Sequence, residues 1–294
     1  MEIQRIGIIG AGLMGAGIAE VCARAGYDIL VREINDELLT RGLERIEATV
    51  QTAVQHGKLT SADQEAIRSR VRGTTRLEDF ADRDLVIEAA IEDLSLKKEL
   101  FAQLDQICPP HAILASNTSS IPIIQLAAAT HRPDRVLGMH FFNPVPTMQL
   151  IELVPTLTTS DEALEAVRVV GERLGKRMIV SKDRAGFIVN YLLVPYFLDA
   201  IRLLEQEFAS KEDIDVGMML GTSYPMGPFT LLDLIGLDTA LHITDVLFEA
   251  FKEPRFAAPT LLRQMVAVGW LGRKSGRGFY HYQAGERPPR ASLK

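Results

Sequence analysis

The 294-residue chain is poor in cysteine, has a single tryptophan and lacks any long unbroken apolar run, and these shortages remove classes of protein. Its two cysteines, Cys22 and Cys108, lie far apart and form no CxxC spacing, so neither a disulfide framework nor a metal site is expected. Basic residues are not in excess: 32 Lys and Arg face 38 Asp and Glu, a net charge of −6, and no basic stripe interleaves with aromatics. That argues against nucleic acid as a partner. The apolar, charge-free stretch at residues 6–19 is too short and too glycine-rich to span a bilayer. No small-residue cleavage site follows it, so it does not read as a signal peptide, and a cytoplasmic protein with no membrane partner is expected. Repeats and low-complexity tracts are also missing. What remains, 47% hydrophobic and 24% charged residues over a length suited to two domains, describes a soluble globular chain.

The glycines of that uncharged run have a positive explanation. In "RIGIIGAGLMGAGIAEVCARAGYDILVRE" an apolar strand, residues 6–9, precedes Gly10-Ala11-Gly12-Leu13-Met14-Gly15, a helical pattern and a second strand, residues 29–32. This is GxGxxG in the context that a dinucleotide requires. Gly10 permits the turn, Gly12 lets a pyrophosphate approach the backbone, and Gly15 lets helix and strand pack closely. The helix start then presents free N–H groups to the phosphates. Glu33, just past the second strand, is placed to accept from ribose hydroxyls and to repel a 2′-phosphate, which favours NAD over NADP, although Arg32 stands beside it. FAD and a glycine-rich turn that binds nothing remain the alternatives.

From residue 36 to about residue 70 a charged helical pattern breaks at "HGKLTSAD", which predicts an inserted helical hairpin with Thr60 and Ser61 or Asp63 as caps of its second helix. Lys58 near the tip has the chemistry to meet a phosphate, though a solvated lysine is the ordinary reading. "DLVIEAA", "AILASN", "RVLGMH", "QLIELV" and "KRMIVS" read as strands separated by helices. Alternation of that kind predicts a parallel, doubly wound Rossmann-like α/β sheet over residues 1–183, with ligands at the carboxyl ends of strands. Glu92, Ser119 and His140 fall at such ends. From Gly186 no strand signal survives, and "FIVNYLLVPYFLDAIRLLEQ" is apolar almost all round. It predicts a helix buried on every side, within an all-α domain over residues 184–294 that dimerises.

The stretch "GMHFFNPVPTMQLIELV" carries the chemistry. Glu152 sits between Leu150, Ile151, Leu153 and Val154, where a carboxylate is costly unless answered, and His140 precedes it by twelve residues. If the two meet, Glu152 orients the imidazole and its other nitrogen is free to take a proton from a substrate hydroxyl. The alternatives are a structural histidine and an edge-strand glutamate facing water. In "SNTSS", Asn117, Thr118 or Ser119 also fits as the cap of the next helix.

These motifs, with "VIEAAIEDLSLKKELF", "DRAGFIVNYLLVPYFLDAIRLLE", "YPMGPFTLLDLIGLD" and "LGRKSGRGFY", resemble the L-3-hydroxyacyl-CoA dehydrogenase family nearly end to end, in particular its short members of the 3-hydroxybutyryl-CoA type. The resemblance implies NAD-dependent, reversible oxidation of a 3-hydroxyacyl-CoA to the 3-oxoacyl-CoA. It implies His140 as catalytic base, Glu152 as its partner, Ser119 and Asn190 at the substrate oxygen, and Glu92, Lys97, Asn143 and Lys274 around the nicotinamide cofactor. A departure is Tyr191, where the family usually has Arg after the "GFIVN" asparagine. The chain opens directly on its first strand, so a single activity without a preceding hydratase domain is expected. A sugar-acid dehydrogenase of the gulonate type is the rival inside the superfamily, against which "FFNPVP" speaks. A non-catalytic NAD-binding protein is the rival outside it.

Overall fold

The computed structural model describes residues 2–282. Contacts divide the chain into two compact units, Met1–Phe187 and Ile188–Lys294. The last twelve residues assigned above to the helical domain lie outside the described residues.

The first unit runs β1 (Arg5–Ile9), α1 (Leu13–Arg24), β2 (Asp28–Arg32), α2 (Asp36–Gln55), α3 (Ser61–Arg70), β3 (Val71–Thr74), β4 (Leu85–Glu88), α4 (Leu94–Ile107), β5 (Ile113–Ser116), α5 (Ile123–Ala127), β6 (Val136–Phe141), β7 (Leu150–Pro155), α6 (Asp161–Arg173) and β8 (Arg177–Val180). One eight-stranded sheet has the order β3-β2-β1-β4-β5-β6-β7-β8. The central strands are buried on both faces, hence their continuous Ile, Val and Leu runs. Ile6, Ile8, Ile29 and Val31 pack with Ile18, Val21 and Val167 of α1 and α6. On the opposite face Ile9, Val86 and Leu114 meet Leu100, Phe101 and Leu104 of α4. Asn35 caps α2 and a reciprocal Thr60–Asp63 box opens α3.

Two features of the sheet depart from the sequence reading. β3 gave no signal: it is a short edge strand whose Arg72 and Gly73 are exposed, so it shows no apolar pattern. More consequentially, β6 and β7 pair antiparallel in an otherwise parallel sheet. The link between them, residues 142–149, contains no helix, and without a crossover the chain can only turn back on itself.

The second unit contains α7 (Val189–Glu205), α8 (Lys211–Thr222), α9 (Pro228–Ile235), α10 (Leu237–Phe251) and α11 (Thr260–Ala267), and its described residues form only isolated bridges, no strand. Within a single chain α7, expected to be buried on every side, has one buried face. It buries Val194, Phe197, Leu198, Ala200 and Ile201 but leaves Leu192 66% exposed, because a handful of helices offers it one packing face.

A buried carboxylate, Asp105, ties α4 to the segment before β6, accepting from the His131 backbone N–H at 2.8 Å and from Arg132 Nε at 2.7 Å. Burial alone would raise its pKa, but the His131 and Arg132 hydrogen bonds outweigh that and hold it below the usual carboxylate range. A folded pKa below the unfolded one gives stability that is complete above the unfolded value, about 4, and lost as pH falls through the folded value. Asp105→Asn should therefore cost about 1.5–3 kcal/mol at pH 7 and lose less on acidification than wild type. Parallel thermal melts from pH 7 to pH 3 check this; equal pH slopes in the two proteins would refute it.

Candidate active site

The turn after β1 is built by glycine. Gly10 sits at φ +91°, and a side chain there would meet Ala89 O at 2.7 Å. A Cβ at Gly15 would lie 1.8 Å from Gly10 O, so helix and turn touch only because that atom is missing. At Gly12 a Cβ would meet nothing within 4 Å, and Gly12 puts no side-chain cap on the first-turn amides of α1. Open space in front of uncapped amides is what a pyrophosphate needs. Leu13 lies exposed beside it, with Met14 partly buried behind. Glu33 follows β2, its Oε1 accepting from Ala11 N at 2.6 Å, and Arg45 Nη1 donates to Ala11 O at 2.7 Å. Both grip the turn, and the residues present fit a dinucleotide.

Antiparallel pairing sets His140 directly opposite Glu152, and cross-strand partners share one face of a sheet. His140 Nδ1 lies 2.7 Å from Glu152 Oε2, with the two residues 4% and 0% exposed. Glu152 is not an edge residue facing water, since β8 flanks its strand. The other imidazole nitrogen, Nε2, is 3.0 Å from Ser119 Oγ. Phe142 and Phe187 approach the imidazole with centroid distances of 4.6 and 5.5 Å, which keeps water away from it.

The turn carrying Ser119 is over-determined. Asn117 N donates to Glu88 O at 2.7 Å and Asn117 Oδ1 accepts from Phe141 N at 2.9 Å, which binds the turn to the end of β6. Thr118 Oγ1 accepts from the N–H groups of Ser120 and Ile121, so Thr118 is the turn-capping residue. α5 itself is capped by Asp183, whose two oxygens accept from Ile123 N and Ile124 N. Ser119 is thus left to face His140.

Glu92 accepts the hydroxyls of Thr118 and Ser120, and its other oxygen lies 3.2 Å from Lys97 Nζ. Burial would raise the Glu92 carboxyl, but the Lys97 charge and the hydroxyl hydrogen bonds prevail and hold it below the usual range. Lys97 is 1% exposed, and its ammonium also contacts Glu88 Oε1 at 2.5 Å. Glu88, Ser116 and Phe187 are site-forming residues that the sequence reading did not single out. For Glu88 the signal was available: an acid inside the apolar run "LVIEAA" is the same anomaly as Glu152.

Asn143 lies on the β6–β7 link, which Lys176 Nζ anchors by donating to Val145 O and Met148 O at 2.7 Å each. With Lys58, Leu13, Arg45 and His56 it lines a cleft of about 240 Å³ beside the glycine turn. Asn190 and Lys274 belong to the second unit. Asn190 lines a small apolar cavity there with Phe197 and Leu262, and Lys274 pairs with Asp238 at 2.5 Å. Tyr191 lies under the Arg255 guanidinium, 4.6 Å from it, so a cation does stand near the position where the family carries arginine. Among the described residues no three His, Cys, Asp or Glu side chains could hold a metal, and no helix is long and apolar enough to cross a membrane.

The sequence and the fold have counterparts in known proteins. The family profile "3-hydroxyacyl-CoA dehydrogenase, NAD binding domain" matches residues 5–184 and "3-hydroxyacyl-CoA dehydrogenase, C-terminal domain" matches residues 186–282. The chain is 52% identical over 282 residues to the 3-hydroxybutyryl-CoA dehydrogenase of Mycobacterium tuberculosis, covering 95% of this chain and 99% of that protein. It is 44% identical to the probable 3-hydroxybutyryl-CoA dehydrogenase of Bacillus subtilis, covering 96% and 99%. The crystal structure of (S)-3-hydroxybutyryl-CoA dehydrogenase PaaH1 from Ralstonia eutropha matches with a TM-score of 0.91 at 44% identity, covering 96% and 100%.

Proposed function

The chain belongs to the 3-hydroxyacyl-CoA dehydrogenase family, and on that premise we propose that His140, Glu152 and Ser119 carry out the reversible oxidation of a short (S)-3-hydroxyacyl-CoA, 3-hydroxybutyryl-CoA, to its 3-oxo form. The observation that carries this reading is the imidazole clamped between Glu152 at 2.7 Å and Ser119 at 3.0 Å. NAD, when bound, supplies the acceptor for the C3 hydride. His140 Nε2 takes the hydroxyl proton, Glu152 holds the tautomer and offsets the imidazolium charge, and Ser119 orients the substrate oxygen. In reverse the imidazolium polarises the ketone and returns the proton. Asn190 of the helical unit is the fourth residue assigned to the reaction.

Gly10, Gly12, Leu13, Met14 and Gly15 would hold the pyrophosphate, and Glu33 the adenosine ribose. Glu92, Lys97, Asn143 and Lys274 would surround the nicotinamide end, and Lys58 would meet a phosphate of the CoA. The chain divides functionally near residue 184, with the hairpin at residues 36–70 serving the CoA. The helical unit forms a homodimer, supported by the exposed Leu192 and Tyr224 and by Val216 and Leu220 on α8, which are 50% and 59% exposed. Two buried, unpaired cysteines fit a reducing cytoplasm, and fractionation finding the activity with membranes would refute that placement.

The test mixes purified protein with acetoacetyl-CoA and follows NADH absorbance, with NADPH in parallel. NADH should be consumed rapidly and NADPH far more slowly, because Glu33 repels a 2′-phosphate. No consumption of either would sink the acyl-CoA reading and return attention to sugar acids and to a non-catalytic role. Light scattering on the same sample should give twice the chain mass, and a monomer would refute the dimer.

A further inference from the structure

We propose that Glu88 is a positioning residue for this reaction: buried beneath the turn at residues 116–120, it holds Ser119 in place against His140. The proposal rests on the roles given above to Ser119 and His140. Glu88 ends β4 and is 0% exposed, and its oxygens divide their work. Oε1 accepts from Lys97 Nζ at 2.5 Å and from Ala90 N at 2.7 Å. Oε2 accepts from Ser116 Oγ at 2.6 Å, and Ser116 Oγ accepts from Thr118 N at 3.2 Å. Through Lys97 the same carboxylate is coupled to Glu92, which takes the hydroxyls of Thr118 and Ser120.

Ser119 is therefore flanked on both sides by hydroxyls bound to Glu92, while a backbone N–H of the turn is bound to Ser116. Of Ser116, Thr118, Ser119 and Ser120, only Ser119 is turned to the imidazole. Stability alone does not explain the arrangement. A buried ion pair rarely surpasses a well-packed apolar pair, because desolvation offsets most of the attraction. What an apolar pair lacks is an acceptor for the Ser116 hydroxyl, and that is the bond that reaches the turn. One ammonium lies between the two carboxylates, 2.5 Å from Glu88 and 3.2 Å from Glu92. Charged acceptors give the shorter and stronger bonds that fix a hydroxyl within the small tolerance that catalysis needs.

Glu88→Gln keeps the size but loses the charge and one acceptor. It should lower kcat for acetoacetyl-CoA reduction about 10–100-fold, the order expected from misplacing a reacting group. NADH affinity is not a clean control, since Glu92 and Lys97 are assigned to the cofactor, so the decisive measurement is a double-mutant cycle with Ser119→Ala. Once the Ser119 hydroxyl is gone, its placement no longer matters, and adding Glu88→Gln should lower kcat by less than about threefold. Ser116→Ala, which cuts only the link to the turn, should show the same non-additivity and serves if Glu88→Gln does not fold. A Glu88→Gln or Ser116→Ala loss that multiplies in full with that of Ser119→Ala would overturn the proposal, as would wild-type turnover in both variants. Wild-type turnover in Ser119→Ala alone would instead remove the role of Ser119, and this proposal with it.

Discussion

Replacing His140 with glutamine is expected to lower turnover in both directions by at least ~10²-fold, the lower bound of what general acid–base help contributes. Glutamine keeps a polar side chain between Glu152 and Ser119, so a fold already committed to that geometry persists. It has no site that binds and releases a proton at neutral pH, so the alkoxide developing at C3 loses its partner. The cofactor turn lies on other strands, after β1 and β2, and NADH affinity should stay within about threefold, a shift of well under 1.4 kcal/mol. Glu152→Gln should give a smaller loss, because it leaves the base but presents an amide where a carboxylate offset the imidazolium. Glu152→Ala should be worse for stability than for chemistry: the partner of a buried polar pair is then left unanswered, at about 1–3 kcal/mol. Steady-state kinetics with NADH titrations and melts on the three variants separate these effects. Turnover of His140→Gln within a few-fold of wild type would remove His140 from the mechanism.

Gly15→Ala should abolish useful NADH binding and destabilise the fold together, whereas Gly12→Ala should affect binding alone. The added methyl at Gly15 would sit 1.8 Å from Gly10 O, a backbone atom that cannot step aside as a flexible side chain would. Either α1 moves off the sheet or the turn deforms, and overpacking of this kind costs about 1–3 kcal/mol. The deformed element is the one that presents amides to the pyrophosphate, so an NADH Kd at least tenfold weaker is expected. At Gly12 the backbone lies at φ −62°, open to any residue, and the methyl would meet no protein atom within 4 Å. Its melting temperature should hold while the methyl occupies space that the pyrophosphate needs. NADH fluorescence titration and thermal melts on both variants provide the check. A Gly12→Ala protein that binds NADH like wild type would show that the pyrophosphate does not lie over Gly12.

How much of this was legible beforehand varies with the physics involved. The glycine turn, Glu33 and the strand–helix alternation are local: each depends on neighbours in the chain, on missing side chains or on a period, and each stood in the sequence. Glu152 also announced itself, because a carboxylate among four apolar residues is an anomaly that needs no structure to notice. Glu88 raises the same anomaly, but its partners, Lys97 and Ser116, are set by the tertiary fold. β3 was silent, since an exposed edge strand carries no apolar pattern.

By itself the sequence determined the fold class, the nucleotide turn and the two unusual residues His140 and Glu152, because composition and periodicity act over short distances along the chain. It left open which of Asn117, Thr118 and Ser119 caps the turn. Only tertiary structure decided that Thr118 does so, and that Ser119 is left for the imidazole. It alone decided that β7 returns antiparallel, so that two residues twelve positions apart become cross-strand partners 2.7 Å from contact to contact. The physical reason is the same in both cases. A hydrogen bond between distant residues depends on register and on which competing donors are already taken, and neither quantity is written at any single position of the chain.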